Sequence, residues 1–349
     1  MSGVGKALCT PLLEWYDDVR RDLPWRTNPT PYRVWVSEIM LQQTRVEAVR
    51  GYFTRWMDTL PTIRALAEAE ESVYLKLWEG LGYYSRVRNL HKAAVLVCDA
   101  YGGALPADYD RLLALPGIGD YTAGAIASIA FGLPVPAVDG NVLRVSARLN
   151  DDFTSISEPK FKKETRSLFC ECMPADRPGD FNQALMELGA TVCLPNGAPL
   201  CEGCPVQHLC IGFHRGHAAL LPIRAPKKAR RLERRTVLLP RYGELVGLSR
   251  RPDSGLLAGL WELPSLDGSL SPDAVRTTLA SRGWQTGKLL SLRPAKHIFT
   301  HVEWHMTGYY VELSAPPDEL TFVTPAALRT DYALPSAFRA FLSVIEEDA

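Results

Sequence analysis

The chain lacks three features that would narrow its function at once: a long apolar run, a surplus of one charge, and any internal repeat or low-complexity tract. The longest uncharged stretch, Tyr121 to Val138, has 18 residues, is rich in Ala, Gly and Ser, and carries Pro134 and Pro136. A membrane-spanning helix needs about 20 mostly apolar residues, so this stretch reads as a buried helix followed by a loop. The opening MSGVGKALCTPLLEWYDD shows no apolar core before its first acids, so no secretory leader is expected. The expectation is an intracellular protein with no membrane contact: cytoplasmic if bacterial, nuclear or mitochondrial if eukaryotic. Lys plus Arg and Asp plus Glu both number 39, which excludes a uniformly basic protein. A basic face balanced by acids elsewhere would also sum to zero. With 46% hydrophobic and 22% charged residues, wholesale disorder and a coiled coil are excluded. A length of 349 residues suggests two domains.

Residues 11 to about 220 read as mostly helical. LLEWYDDVRRDL has apolar residues at helical spacing and ends at Pro24, and VWVSEIMLQQTRVEAVRGYFTRWM reads as a second, long helix. ESVYLKLWEGL, RVRNLHKAAVLVCDAY, TAGAIASIAF, GNVLRVSARL and FNQALMELGATVC follow, separated by Pro and Gly. Composition shifts over residues 221–241, where eight basic residues stand against one acid, Glu233. This reads as a linker, either a solvated tether or one that faces a polyanion. Beyond it, TVLLPRYGELVGLSRR and HVEWHMTGYYVEL alternate as strands do, with SPDAVRTTLASRG as a helix between them. That is a small α+β domain, about residues 236–349.

Four of the eight cysteines, Cys193, Cys201, Cys204 and Cys210, fall within 18 residues. Four thiolates on a short loop suit tetrahedral zinc or a cubane iron–sulfur cluster. Zinc sites usually show two close pairs, and the single short pair here, Cys201 with Cys204, favours [4Fe–4S]. The turn Leu115-Pro116-Gly117-Ile118-Gly119 ends one helix and starts another. Gly117 and Gly119 let backbone N–H groups at the helix start reach a phosphate, although an ordinary helix–helix turn reads the same way. Glu38 has apolar neighbours, which favour a retained proton and a general-acid role. Asp139 stands at an N-cap, which favours the anion. Such a pair suits cleavage of a glycosidic bond through an oxocarbenium-like state; a surface Glu and a plain capping Asp are the alternatives. Tyr83, beside Gly80 and Gly82, supplies an aromatic ring on a loop that could wedge into stacked bases or pack in a core.

Taken in order, Leu23-Pro24-Trp25-Arg26, Ser37 to Thr44, Trp78 to Arg86, the hairpin turn, Val138 to Val142 and the cysteine loop resemble the adenine DNA glycosylases of the MutY type, within the helix-hairpin-helix superfamily. The resemblance implies a multi-domain fold: an all-α helix-hairpin-helix core with an iron–sulfur loop, and a C-terminal α+β Nudix-like domain. Its expected boundaries are a catalytic region at 1–221, a basic linker at 222–235 and a recognition domain at 236–349. Within the first, the six-helix part covers about 25–138; the N-terminal helix and about 139–221 form the cluster-bearing part.

The implied activity is base-excision repair. A monofunctional glycosylase, acting as a monomer on double-stranded DNA with A:8-oxoguanine or A:G mispairs, flips out the adenine and removes it. The resemblance assigns Glu38 to protonation of adenine N7 and Asp139 to stabilisation of the sugar cation, with Asn141 and Tyr121 orienting these acids. Trp25, Arg26 and Gln183 would hold the adenine. Gln43 and Tyr83 would wedge into the duplex around the oxidised guanine, with Thr44 nearby; Leu41 is a further substrate-binding residue, and Gly117 with Gly119 would meet a phosphate. Phe299-Thr300-His301 matches a Phe-Ser-His loop that senses 8-oxoguanine, with Thr for Ser. Lyases similar to endonuclease III carry a lysine where Tyr121 stands, so a water-using enzyme is implied. Two departures stand out. Seven residues, not the common six, separate Cys193 from Cys201. The stretch Arg276 to Gly283 lacks the glutamates with which a Nudix hydrolase holds Mg²⁺, so shape without hydrolysis is expected.

Overall fold

The computed structural model describes residues 3–226 and 229–347; Lys227 and Lys228 of the basic stretch lie outside the described residues. The helices are α1 (Gly3–Val19), α2 (Pro31–Leu41), α3 (Val46–Thr59), α4 (Ile63–Ala67), α5 (Glu71–Leu77), α6 (Ser85–Tyr101), α7 (Tyr109–Leu113), α8 (Asp120–Phe131), α9 (Gly140–Asn150), α10 (Pro159–Cys172), α11 (Pro178–Thr191), α12 (Ile211–His214), α13 (Pro272–Ser281), α14 (Pro325–Thr330) and α15 (Arg339–Glu347). The strands are β1 (Arg231–Tyr242), β2 (Leu245–Arg250), β3 (Trp261–Glu262), β4 (Ser265–Asp267), β5 (Thr286–Ile298), β6 (Val302–Leu313) and β7 (Thr321–Val323). None of the helices is long and apolar enough to cross a membrane, among the described residues.

The chain divides into two compact units, Met1–Glu68 with Arg88–Pro226, and Ala69–Val87 with Lys227–Ala349. The expected division kept residues 69–87 with the helical region. Instead this segment packs in the second unit, through bonds between residues far apart in sequence. Lys76 Nζ donates to the carbonyls of Tyr332 (3.0 Å) and Leu328 (3.5 Å), and the Glu79 carboxylate accepts from Leu334 N–H at 2.8 Å. The linker expectation is also modified, since β1 begins at Arg231, inside 222–235.

In the first unit, α1, α9, α10 and α11 enclose a core of Leu12, Tyr16, Val145, Phe169, Phe181 and Leu188, each at most 1% exposed. The long helix expected over residues 34–57 is two helices. Nothing in Leu41-Gln42-Gln43-Thr44-Arg45 is Gly or Pro, yet Gln43 adopts φ +57° and breaks the helix. Two glycines fix close approaches. Gly117 has φ +78°, and a Cβ there would lie 2.7 Å from Asn89 Cβ, so the hairpin turn excludes any side chain. A Cβ on Gly189 of α11 would meet Asn141 Cβ at 2.5 Å, so glycine lets α11 lie against the start of α9.

The second unit is built on a mixed sheet, seven-stranded among the described residues, with order β3-β2-β1-β6-β5; β4 pairs with β1 and β7 with β2. The central β1 and β6 run parallel, with Arg231 opposite Val302 and Arg241 opposite Glu312. Alternation serves two cores. Val237, Leu239, Trp304 and Met306 face Phe338 and Phe341, whereas Leu238, Tyr309 and Val311 face Val275 and Leu279 of α13. The edge strand β5 pairs antiparallel with β6 and bulges between Leu292 and Ala295, where Pro294 has no N–H to offer the ladder. The Arg276 to Gly283 stretch runs along α13, where Thr277 and Thr278 hydroxyls bond back to their own helix.

Candidate active site

A cleft of about 1040 Å³ opens in the first unit. Its lining includes Trp25, Arg26, Glu38, Leu41, Gln43, Thr44, Gly119, Tyr121, Asp139, Asn141 and Gln183. Eleven of the sixteen candidate catalytic and base- or backbone-contacting residues named from the sequence thus share one cavity. Gly117 shapes the turn behind Gly119 and is not part of the lining. Tyr83, Phe299, Thr300 and His301 belong to the second unit.

Glu38 sits on α2, 6% exposed. Burial pushes its carboxyl up to about 7, aided by the Asp139 charge and opposed by the Tyr121 hydrogen bond and by Arg26. The Tyr121 hydroxyl donates to Glu38 Oε2 and also lies 3.2 Å from Met186 Sδ. Burial and the two carboxylates hold the Tyr121 phenol well above its ordinary value, so it remains a donor.

Asp139 caps α9. Its Oδ1 accepts from the N–H groups of Asn141 and Val142, both at 2.8 Å, and its Oδ2 accepts from Asn141 Nδ2 at 2.7 Å. The cap geometry is the one expected. The charge argument needs correcting: burial raises the Asp139 carboxyl, with the three hydrogen bonds and Arg144 pulling the other way. Glu38 has one hydrogen bond to its charged form and Asp139 has three, so the two acids differ in the support given to the anion.

Two supports were not singled out from the sequence. Arg144, on α9, donates from Nη2 to Asn141 Oδ1 (2.8 Å) and Gly189 O (2.7 Å) and from Nε to Cys193 O (2.8 Å). It ties Asn141 to α11 and to the first residue of the cysteine loop. Glu187, 1% exposed, holds Arg21 (2.5 Å) and Arg26 (2.8 Å). Arg26 Nε in turn donates to Gln183 Oε1 at 3.1 Å, joining two residues expected to hold the base. The available signal for Glu187 was its i,i+4 spacing from Gln183 on one helix. The segment leading into Asp139 is also tied down: Asn182, fully buried, accepts from Ala137 N–H (3.0 Å) and donates to Val135 O (2.9 Å) and Ser128 Oγ (2.8 Å).

The four cysteines line a separate void of about 30 Å³ together with Val145, Leu149, Leu188 and Val206. None of the four forms a disulfide. Among the described residues no three His, Cys, Asp or Glu side chains converge on a single metal ion; the thiols surround a space instead. Arg148 Nη1 donates to Cys193 Sγ at 3.1 Å, a cation placed against a sulfur that would be anionic as a ligand. Soft donors around an apolar void, three half-buried and Cys210 buried, with a cation beside Cys193, fit an iron–sulfur cluster.

In the second unit, Tyr83 and Thr300 meet directly, Oη to Oγ1 at 2.6 Å. Tyr83 adopts φ +48°, and Arg86 packs over its ring (5.5 Å) and over Trp78 (5.2 Å). Phe299 is wedged between His297 (4.6 Å) and Trp304 (4.9 Å), which anchors the loop while Thr300 and His301 stay accessible.

A helical unit with a hairpin turn beside a cleft that holds two dissimilar carboxyls, followed by a Nudix-like sheet, defines a class: the helix-hairpin-helix base-excision proteins. Residues 36–170 match the HhH-GPD superfamily of base excision DNA repair proteins, and residues 236–344 match the NUDIX domain. The chain is 39% identical over 365 residues to the adenine DNA glycosylase of Mus musculus, covering 88% of this chain and 70% of that protein. It is 38% identical over 378 residues to the adenine DNA glycosylase of Homo sapiens, covering 90% and 68%. Among solved structures, a thermostable thymine-DNA glycosylase aligns with TM-score 0.55 and 27% identity over 61% of this chain and 97% of that one. A non-covalent endonuclease III–DNA complex aligns with TM-score 0.51 and 25% identity over 59% and 92%. The chain belongs to the adenine DNA glycosylase family.

Proposed function

We propose that this protein hydrolyses the N-glycosidic bond of adenine paired with 8-oxoguanine or guanine in duplex DNA, acting as a monomer inside the cell and leaving an abasic site. The observation that carries this reading is the pairing, in one cleft, of a buried carboxyl raised to about 7 with a capped carboxyl held by three hydrogen bonds. The flipped adenine enters between Trp25 and the Arg26–Gln183 pair. Glu38 gives its proton to adenine N7, so the base leaves neutral with the bonding electrons. The Asp139 carboxylate faces the resulting sugar cation and stabilises it, directly or through a transient covalent adduct. Water then completes the abasic sugar and its proton returns the acid. Asn141 fixes the Asp139 carboxylate, and Tyr121 fixes Glu38. With a hydroxyl in place of an amine at position 121, no Schiff base forms there and the strand is not cut by this residue.

Cys193, Cys201, Cys204 and Cys210 would hold a [4Fe–4S] cluster, whose chemistry here is to cross-link the loop through four thiolates. In the second unit Tyr83 would enter the duplex beside the oxidised guanine, with Thr300 and His301 reading it. The sheet itself would recognise and not hydrolyse, because Thr277, Thr278, Ala280 and Ser281 supply no carboxylate for Mg²⁺.

The test is release of adenine from duplexes carrying A:8-oxoguanine, A:G or T:G. Abasic sites should accumulate on the first two. Glu38→Gln should abolish release while binding persists. Asp139→Asn keeps a good N-cap, so it should fold yet lose at least about a hundredfold in rate. No release by purified wild-type protein with its metal content intact, or full turnover by Asp139→Asn, overturns the reading.

A further inference from the structure

The cleft lining also includes Lys162, Lys163 and Arg166, which none of the reasoning above uses. All three lie on α10, where Arg166 follows Lys163 by three residues and Lys162 by four, so each lysine neighbours Arg166 on the helix surface. Lys162 and Lys163 are exposed. Neither ammonium has an ion-pair partner among the described residues, whereas the neighbouring Lys160 reaches Glu164 at 3.9 Å. The other cations of the lining behave differently: Arg21 and Arg26 are both committed to Glu187.

Arg166 is held in place. Its Nη1 donates to Tyr109 Oη at 2.7 Å, its guanidinium stacks on the Tyr109 ring at 4.6 Å, and it lies 3.6 Å from Asp120. The Tyr109 hydroxyl donates onward to Asp120 Oδ1 at 2.9 Å. Asp120 is the first residue of α8, next to Gly119, and its side chain is 80% exposed. An exposed carboxylate there suits the helix dipole but repels any phosphate brought to the hairpin.

We propose that Lys162, Lys163 and Arg166 form a basic rim that grips the phosphodiester backbone of the strand entering the cleft, and that Asp120 weakens this grip by engaging Arg166. The inference rests on the reading of the substrate as DNA. The physical need is plain. The charge at Asp139 that stabilises a sugar cation also repels the phosphates flanking that sugar. Cations at the rim offset the repulsion without touching the reacting atoms. Two unpaired lysines bordering a cleft, in a chain with no net charge, are the surplus that a polyanion would neutralise. A pre-positioned arginine adds a bidentate donor at small entropic cost.

The test is binding of a labelled A:G duplex by fluorescence anisotropy at several salt concentrations, with Glu38→Gln as the parent so that substrate is not consumed. Each phosphate contact contributes about 0.9 to the slope of log K against log salt. Lys162→Gln with Lys163→Gln should therefore lower the slope by up to about 2 and weaken low-salt binding about tenfold. Lys162→Arg with Lys163→Arg should restore both. Arg166→Gln should weaken binding, and Asp120→Asn should tighten it several-fold. A slope unchanged in the double Gln variant, or tightening absent in Asp120→Asn, overturns the rim while leaving the DNA reading intact. A parent whose binding is absent or independent of salt overturns the DNA reading and the rim with it.

Discussion

The Tyr121 hydroxyl donates a hydrogen bond to the Glu38 carboxylate, joining the helix that follows the hairpin turn to the helix that carries the acid. That bond favours the charged form and holds the Glu38 pKa down against burial, which otherwise raises it. A general acid must be protonated to act, so the single-turnover rate should fall as pH rises through about 7. Tyr121→Phe removes the bond and should move this falling limb to higher pH. Rate–pH profiles of the two proteins check this; a limb that stays in place, or moves to lower pH, removes Tyr121 from the role.

Much of this site was legible in the sequence because its chemistry is local. Glu38 among apolar neighbours, Asp139 ahead of Gly140-Asn141, the Gly117–Gly119 turn and the clustered cysteines are each readable within a few residues. What stayed hidden depends on tertiary partners. Gln43 breaks a helix with no Gly or Pro to announce it. Strand β5 neither alternates cleanly nor lacks proline, and forms because β6 pairs with it. Glu187 and Arg144 read as ordinary helix charges until Arg26 and Cys193 are placed beside them. The assignment of Ala69–Val87 to the second unit rests on bonds such as Lys76 to Tyr332, which no local pattern encodes.

The cysteine void makes a compositional prediction. Purified protein should be brown and contain iron and sulfide near four each per chain. Stoichiometric zinc instead would overturn the cluster assignment. Cys201→Ser should lower iron content, and because the void borders Leu149 and Leu188 of the core, it should lower the melting temperature too.

Thr300 offers a test of the recognition loop that leaves catalysis untouched. Its hydroxyl is already engaged by Tyr83 at 2.6 Å. Thr300→Val keeps the shape and removes both this bond and any bond to the oxidised base. The preference for A:8-oxoguanine over A:G should fall about tenfold, as expected for one hydrogen bond. Thr300→Ser should retain it. Competition between the two duplexes measures the ratio, and an unchanged ratio in Thr300→Val would remove the hydroxyl from recognition.

Asn182 separates positioning from packing. Its amide makes three hydrogen bonds in a fully buried place, one of them to Ala137 N–H, two residues before Asp139. Asn182→Ala leaves Ala137 N–H and Val135 C=O without these partners in the interior, at a cost of order 3 kcal/mol. A core group would contribute only that loss, and molecules still folded would keep their rate. If the amide instead fixes the segment that carries Asp139, the rate per folded molecule should fall at least about tenfold, because a small displacement of a charge facing the developing cation weakens its stabilisation. Asn182→Asp keeps the acceptor for Ala137 N–H and should recover part of the rate although it, too, is less stable. Single-turnover rates measured well below each melting temperature, with the folded fraction set by circular dichroism, decide between the two: an undiminished rate in Asn182→Ala assigns the residue to packing alone.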